Sequence, residues 1–153
     1  MNDDGKYQKM QAEMRLPHLN ELKEKFKIEF EEDDKIFEQI RNEMSEKLFM
    51  FSERIIEPVI GGIDSFSCMY EQNMVTGAER RELFELYKKI QMLKWENNTL
   101  MISPDDKKTA EWIKKTWELW NGEMQEKLLK FSVKMSSAWS DLKFKKDRSA
   151  YLG

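Results

Sequence analysis

The three prolines of this chain limit where an uninterrupted helix can run. Pro17, Pro58 and Pro104 are spread through a chain of 153 residues, about 40 residues apart. Proline inside a helix removes a backbone hydrogen bond and clashes with the preceding turn, so helices tend to begin or end near it. Glycine, the other helix-breaking residue, occurs only 6 times. A chain with so few breaking residues is expected to fold into a small number of long helices.

An apolar stripe fills the interval between Pro17 and Pro58. Its members recur in steps of three, four or seven residues, the spacing of one helix face: Leu19, Leu22, Phe26, Phe30, Phe37, Ile40, Met44, Leu48, Phe51 and Ile55. One stripe position, Asp33, is acidic. The pattern predicts a single helix over residues 18–57, about 60 Å long at about 1.5 Å per residue. Its mean step is typical of coiled-coil packing.

The segment that follows this helix is predicted to reverse the chain direction. Pro58, Gly61 and Gly62 disfavour helix within five residues of one another. Because the apolar stripe continues beyond them, a kinked continuation of the first helix is the alternative. The middle leg is then residues 63–102, with a predicted break near residues 73–77.

Two local signals define the remaining helix ends. Thr76 and Glu79 have the spacing of a capping box, which starts a helix after the break. Ser103-Pro104-Asp105-Asp106 combines a capping serine, a proline in the first turn and two acids. The third leg is therefore predicted over residues 104–146.

Three matched legs with short connections predict an all-α fold. The expected architecture is an elongated antiparallel bundle of three legs of about 40 residues, with the middle leg broken near 73–77. The alternation that strands require is absent from the sequence. Residues 1–17 are predicted to be an N-terminal polar arm or short helix, residues 18–146 the helical bundle and residues 147–153 a flexible tail.

Composition narrows the function classes. The net charge is −3, which argues against a general nucleic-acid binder. Cys68 is the single cysteine, so the chain cannot form an internal disulfide, which favours a reducing compartment. We interpret the Cys68 side chain as a small buried apolar group. No run approaches the roughly 20 apolar residues of a membrane span. A soluble cytoplasmic protein is expected.

The residue inventory also argues against catalysis. His18 is the only histidine, which excludes the Glu-x-x-His pairs of a di-iron bundle. Gly61-Gly62 lacks the lysine and hydroxyl of a phosphate-binding loop, and no serine triad can be assembled. We therefore predict no catalytic residue, no cofactor and no metal.

Paired acids keep a magnesium-dependent hydrolase open as a minor alternative. All-α nucleotide pyrophosphohydrolases hold magnesium with carboxylates three residues apart. That spacing occurs here at Glu29–Glu32, Glu31–Asp34, Glu79–Glu82 and Glu82–Glu85. Because an acidic helix produces such spacings by chance, a solvated acidic face is the favoured interpretation.

Basic residues late in the chain suggest a second alternative, a nucleic-acid-binding accessory protein. Lys127, Lys130 and Lys134 share one helix face, and Lys143, Lys145, Lys146 and Arg148 extend it. Such a strip can contact phosphates, and a membrane surface is disfavoured as its partner. A solvated face, or pairing with the acidic first helix, is favoured.

The apolar residues exceed what one core stripe per leg can bury. Trp117 and Trp120 lie on the main stripe of the third leg, whereas Trp112 and Leu119 fall on a neighbouring face. Such a surplus predicts a protein partner. The favoured function is a non-enzymatic helical interaction or assembly protein, a scaffold or adaptor that most simply forms a homodimer. The predicted partner-binding residues are Trp112, Leu119, Phe84 and Tyr87.

Overall fold

The computed structural model describes residues 4–31 and 33–143, and every regular element in them is a helix. The all-α prediction is therefore confirmed. The elements in chain order are α1 (Asp4–Met14), α2 (Leu19–Phe26), α3 (Ile36–Phe51), a π-helical segment (Ser52–Ile56), α4 (Glu57–Ile60), α5 (Phe66–Asn73), α6 (Gly77–Ile102), α7 (Asp106–Leu119), a second π-helical segment (Trp120–Met124) and α8 (Gln125–Asp141). None of these helices is long and apolar enough to cross a membrane.

The middle and third legs run antiparallel along their whole length. The Trp112 indole Nε1 donates to the Leu93 carbonyl at 2.9 Å near one end. Lys89 Nζ lies 2.9 Å from Glu123 Oε2 near the centre. Tyr70 in α5 donates to the Ala138 carbonyl at 2.5 Å near the other end. As residue numbers rise along one leg they fall along the other, which confirms the antiparallel arrangement of these two legs.

The first and third legs run parallel, as an up-down-up bundle requires. At one end, α1 contacts α7, and Tyr7 of α1 packs on Phe37 near the start of α3 with ring centroids 5.4 Å apart. Further along both legs, Phe51 at the end of α3 stacks on Trp120, the residue after α7, with ring centroids also 5.4 Å apart. The two π-helical segments begin beside this stacked pair, so both legs change their winding at the same level of the bundle.

The predicted single helix over residues 18–57 is wrong. Helix α2 ends at Phe26, and Lys27 takes a left-handed backbone conformation with φ 55°. Asp33 then accepts hydrogen bonds from the Lys35 backbone at 2.9 Å and from Gln39 Nε2 at 2.7 Å. An aspartate that bonds nearby backbone groups stabilises a turn in competition with helix. The acidic residue in the apolar stripe thus lies within a helix break.

This break folds α2 back beside the bundle instead of extending the first leg. The Phe26 ring lies 5.2 Å from that of Trp120, at the end of α7, whereas α3 begins at the opposite end beside Tyr7. The first leg therefore comprises only Ile36–Ile60, and the segment before it covers the third leg.

The predicted reversal after Pro58 is confirmed. Gln72 of α5 donates to the carbonyls of Pro58 and Gly61, both at 3.0 Å, so α5 packs back on the end of α4. A Cβ atom at Gly61 would lie 2.8 Å from the Glu57 carbonyl oxygen, closer than such atoms normally approach. Glycine at this position allows the chain to leave α4 against its last turn.

The other two predicted helix boundaries are observed. The middle leg breaks between Asn73 and Gly77, and Thr76 and Glu79 form both hydrogen bonds of a capping box, each 3.1 Å long. The third leg starts at Asp106, two residues later than a Ser103 cap would place it, because the Asp105 side chain accepts from the Lys108 backbone N–H at 2.9 Å and caps the helix instead.

The N-terminal segment, predicted as a polar arm or short helix, is the helix α1. Tyr7 is fully buried, and its hydroxyl donates to the Pro17 carbonyl at 2.7 Å. The predicted flexible tail at residues 147–153 lies outside the described residues.

Candidate interaction surface

One face of α6 carries four apolar side chains that no described part of the chain covers. Phe84, Met92, Trp95 and Ile102 are 47%, 63%, 67% and 85% exposed. At 3.6 residues per turn, the four lie within about 80° of one another around the helix. We call these four residues the outer face of α6. They form an apolar strip, interrupted by polar residues, along a single helix.

This face lies opposite the side by which α6 joins the core. Leu86 and Ile90 are fully buried and Leu93 is 6% exposed, so the core side is packed in the usual way. One buried apolar face is sufficient to hold an amphipathic helix in a bundle. The second apolar strip is therefore surplus to folding, and exposed apolar strips of this kind are typical of interaction sites.

Polar side chains lie between the apolar members of the outer face. Lys88 is exposed, and its Nζ lies 3.5 Å from Oε2 of Glu85 in the same helix. Thr99 is exposed, and its hydroxyl donates to the Trp95 carbonyl at 3.1 Å. A mixture of large apolar and polar groups is usual for protein–protein interfaces that form between separately folded chains.

The N-terminal end of α6 is held firmly. Glu79 forms the capping box with Thr76 and also accepts a hydrogen bond from Lys134 of α8. The Lys134 hydrogen bond, followed by those from Thr76, lowers the pKa of the Glu79 carboxyl. The outer face is thus presented on a helix that is fixed to the third leg.

Of the four predicted partner-binding residues, only Phe84 lies on the outer face. Tyr87 is half-buried, and its hydroxyl donates to Glu57 Oε1 at 3.0 Å. Burial, together with that hydrogen bond, raises the pKa of Tyr87. Leu119 is half-buried and packs against the hydrophobic core. Neither of these two side chains presents a broad free surface.

The prediction that Trp112 lies off the core is wrong. Its side chain is 1% exposed, and its indole nitrogen is paired with the Leu93 carbonyl. The buried side of α7 is centred on Thr116, which is fully buried, and Trp112 and Trp117 lie on its two flanks. A stripe counted from apolar residues alone omits this threonine. It therefore places Trp112 outside a core face to which it belongs.

Three members of the outer face were missed by the sequence analysis. Met92, Trp95 and Ile102 follow Phe84 by 8, 11 and 18 residues, spacings that keep all four within about 80° of one another around a helix. That second periodicity was a usable signal. It is weaker than the core stripe because Lys88 and Thr99 interrupt it.

Phe84 and Tyr87 also border a cleft of about 830 Å³ between α4, α5 and α6. Its walls carry four acids, Glu53, Glu57, Asp64 and Glu71, and none of the described residues that line it is lysine or arginine. Cys68, which is buried as predicted, donates from Sγ to the Pro58 carbonyl at 3.0 Å beneath it. The negative charge of this cleft disfavours phosphate groups.

The predicted phosphate-contacting lysines lie among carboxylates. Lys127 and Lys130 line a groove of about 240 Å³ together with four acids, Glu79, Glu82, Glu123 and Glu126. Lys134 is paired with Glu79. Lys143 is exposed at the end of the described chain, and Lys145, Lys146 and Arg148 lie outside the described residues. The described part of this strip is therefore close to electrically balanced.

The residues considered for magnesium do not come together. Within residues 4–31 and 33–143, no three side chains of His, Cys, Asp or Glu are grouped as a metal site requires. Glu29 and Glu31 lie in the non-helical segment after α2, and Glu32 is not described. His18 is exposed at the start of α2, with Nδ1 2.6 Å from Gln11 Nε2.

Comparison with protein-family models, with curated proteins and with solved structures gives no significant match.

Proposed function

We propose that this chain is a non-enzymatic helical interaction or assembly protein that self-associates through the outer face of α6. The observation that carries the proposal is Trp95, which is 67% exposed at the middle of an apolar strip on a well-anchored helix. Tryptophan is among the residues that contribute most to binding when an interface buries them. A free cysteine and the absence of a membrane-spanning helix among the described residues support a cytoplasmic location.

The alternative of a nucleic-acid-binding accessory protein has less support. Phosphate binding needs basic groups that are free to neutralise a phosphate backbone. Lys127, Lys130 and Lys134 instead face carboxylates of α6 and α8. A magnesium-dependent hydrolase lacks a grouped set of ligands in the described residues. Neither alternative has an observation in its favour comparable to the exposed strip.

The proposal is tested by a charge placed at Trp95. Trp95→Asp introduces an ion that must be desolvated if the face is buried, and it also removes the largest anchor. We expect the dissociation constant for self-association to rise at least about tenfold, which corresponds to about 1.4 kcal/mol. Sedimentation equilibrium measures this constant, and circular dichroism should show unchanged helix content, because the side chain is not part of the core.

Leu129→Asp is the matched control. Leu129 is 64% exposed on α8, almost as much as Trp95, but it lies outside the α6 strip. The control should associate like the unmodified chain. Equal weakening by the two substitutions, or no weakening by Trp95→Asp, would refute the proposed surface.

A further inference from the structure

We propose that the outer face of α6 binds the same face of a second copy, with the two α6 helices antiparallel about a twofold axis that crosses the outer face at the level of residue 93. This inference rests on the proposed function and specifies its partner and geometry. It follows from the order of residues along the strip and from the charges at its two ends.

The apolar residues of the strip are placed symmetrically along α6. Phe84 and Ile102 both lie nine residues from Leu93. Met92 and Trp95 are the two members closest to the centre. In an antiparallel pair, Phe84 of one copy therefore meets Ile102 of the other, and Met92 meets Trp95. Each contact occurs twice, as a twofold interface requires.

The polar residues of the face agree with the same register. Lys88 of one copy lies opposite Thr99 of the other, and both are exposed in the single chain. The long aliphatic stem of a lysine can cover apolar surface while its ammonium stays in water. The two polar positions therefore fit between the aromatic contacts without burying an unpaired charge.

Exposed side chains of opposite charge lie near the two ends of α6. Arg81 is exposed near the N-terminus of α6, and Asp105 is exposed just beyond its C-terminus. An antiparallel pair brings Arg81 of one copy near Asp105 of the other at both ends. A parallel pair would instead place arginine beside arginine and aspartate beside aspartate, which is repulsive. Charge complementarity thus favours a second copy in the antiparallel orientation.

The size of the strip sets the strength expected of the dimer. Eighteen residues separate Phe84 from Ile102, which is about 27 Å along the helix axis at about 1.5 Å per residue. A strip of that length and about one helix wide buries less than the roughly 1,600 Å² of a standard interface. We therefore expect a reversible dimer with a dissociation constant in the micromolar range.

The orientation is tested by disulfide trapping in a Cys68→Ser background. The double variant Lys88→Cys/Thr99→Cys places the two thiols opposite each other between copies in the antiparallel pair. Its single variants, Lys88→Cys and Thr99→Cys, are the matched controls, because each thiol then lies about 16 Å along the axis from its own counterpart. A disulfide requires Cα atoms within about 7 Å.

We expect mild oxidation to give at least about tenfold more covalent dimer from the double variant than from either single variant on a non-reducing gel, because only the double variant meets the distance limit. Efficient trapping of the single variants would indicate parallel helices and overturn the inference. A dimer seen by light scattering with no trapping in the double variant would overturn the orientation and leave the proposed function intact. The absence of any dimer by light scattering would overturn both.

Discussion

At the scale of single residues, Trp112 and Trp95 show why side-chain type alone did not locate the surface. Both are tryptophans on long amphipathic helices, yet one is 1% and the other 67% exposed. The buried side of α7 is centred on a threonine, so a stripe drawn through apolar residues alone misplaces the buried face of that helix. The exposed side of α6 contains lysine and threonine among its apolar residues, so the same procedure does not detect the exposed strip.

Tyr7 is a second residue whose environment depends on tertiary packing. The sequence placed it in a polar segment, whereas the structure buries it completely between α1 and the bundle. Burial, with a smaller contribution from the charge of Glu21, raises the pKa of its phenol above the ordinary value of 10.0. The folded chain therefore keeps this proton at pH values where the unfolded chain releases it.

This difference predicts a specific alkaline instability. Because the Tyr7 pKa is raised in the folded state, the protonated phenol contributes its full share of the unfolding free energy below pH 10. That contribution is lost as the pH rises further. Between pH 10 and 11 the unmodified chain should lose about 1 kcal/mol more unfolding free energy than Tyr7→Phe. At pH 7 the variant should be less stable by about 1 kcal/mol, because the Pro17 carbonyl loses its donor.

Urea unfolding at pH 7, 10 and 11 measures both effects. Parallel alkaline losses in the two proteins would show that the Tyr7 phenol is not protected by folding. Equal stability at pH 7 would show that its hydrogen bond contributes nothing.

At the scale of elements, the helix ends that local chemistry determines were predictable and the break at residues 27–35 was not. The capping box at Thr76, the close approach of Gly61 to the Glu57 carbonyl and the start of α7 at Asp105 each depend on residues within five positions. The break depends on a left-handed Lys27 and on Phe26 reaching Trp120. Such a distant contact leaves no periodic signal, and only Asp33 in the apolar stripe indicated the position.

The capping box of α6 gives an element-scale prediction. Glu79→Gln keeps an oxygen that can accept from the Thr76 backbone but removes the charge that faces Lys134. We expect a loss of up to about 1 kcal/mol of unfolding free energy at pH 7, because the pair is partly exposed to solvent. The loss should be smaller in high salt.

The pH dependence of that loss follows from the lowered pKa of Glu79. Because the carboxyl pKa is lowered in the folded state, the ionised carboxylate stabilises the fold at pH values above its ordinary pKa of 4.5. This contribution is lost as the pH falls through the folded-state pKa. The variant and the unmodified chain should therefore converge in stability at strongly acidic pH. Glu82→Gln, in the same groove, is the control and should have a smaller effect at pH 7. A constant difference between pH 7 and pH 3 would contradict the assigned ion pair.

At the scale of the whole molecule, the bundle direction and the proposed partner surface rest on different kinds of information. Three legs with short connections fix an up-down-up order, and the structure agrees with it. The location of the surplus apolar surface required knowing which faces the N-terminal segment covers. Because α1 and α2 pack against α7, the proposed strip is on the middle leg, at α6 and not at α7.

The central claim, that the outer face of α6 joins two copies, predicts a mass that depends on concentration. Multi-angle light scattering on the unmodified chain, from about 1 μM to several hundred micromolar, spans the range expected for an interface of this size. The weight-average mass should rise from the 18.5 kDa of one chain and level off at twice that value. A mass that stays at one chain throughout, or that climbs past two chains without levelling, would contradict a closed twofold pair.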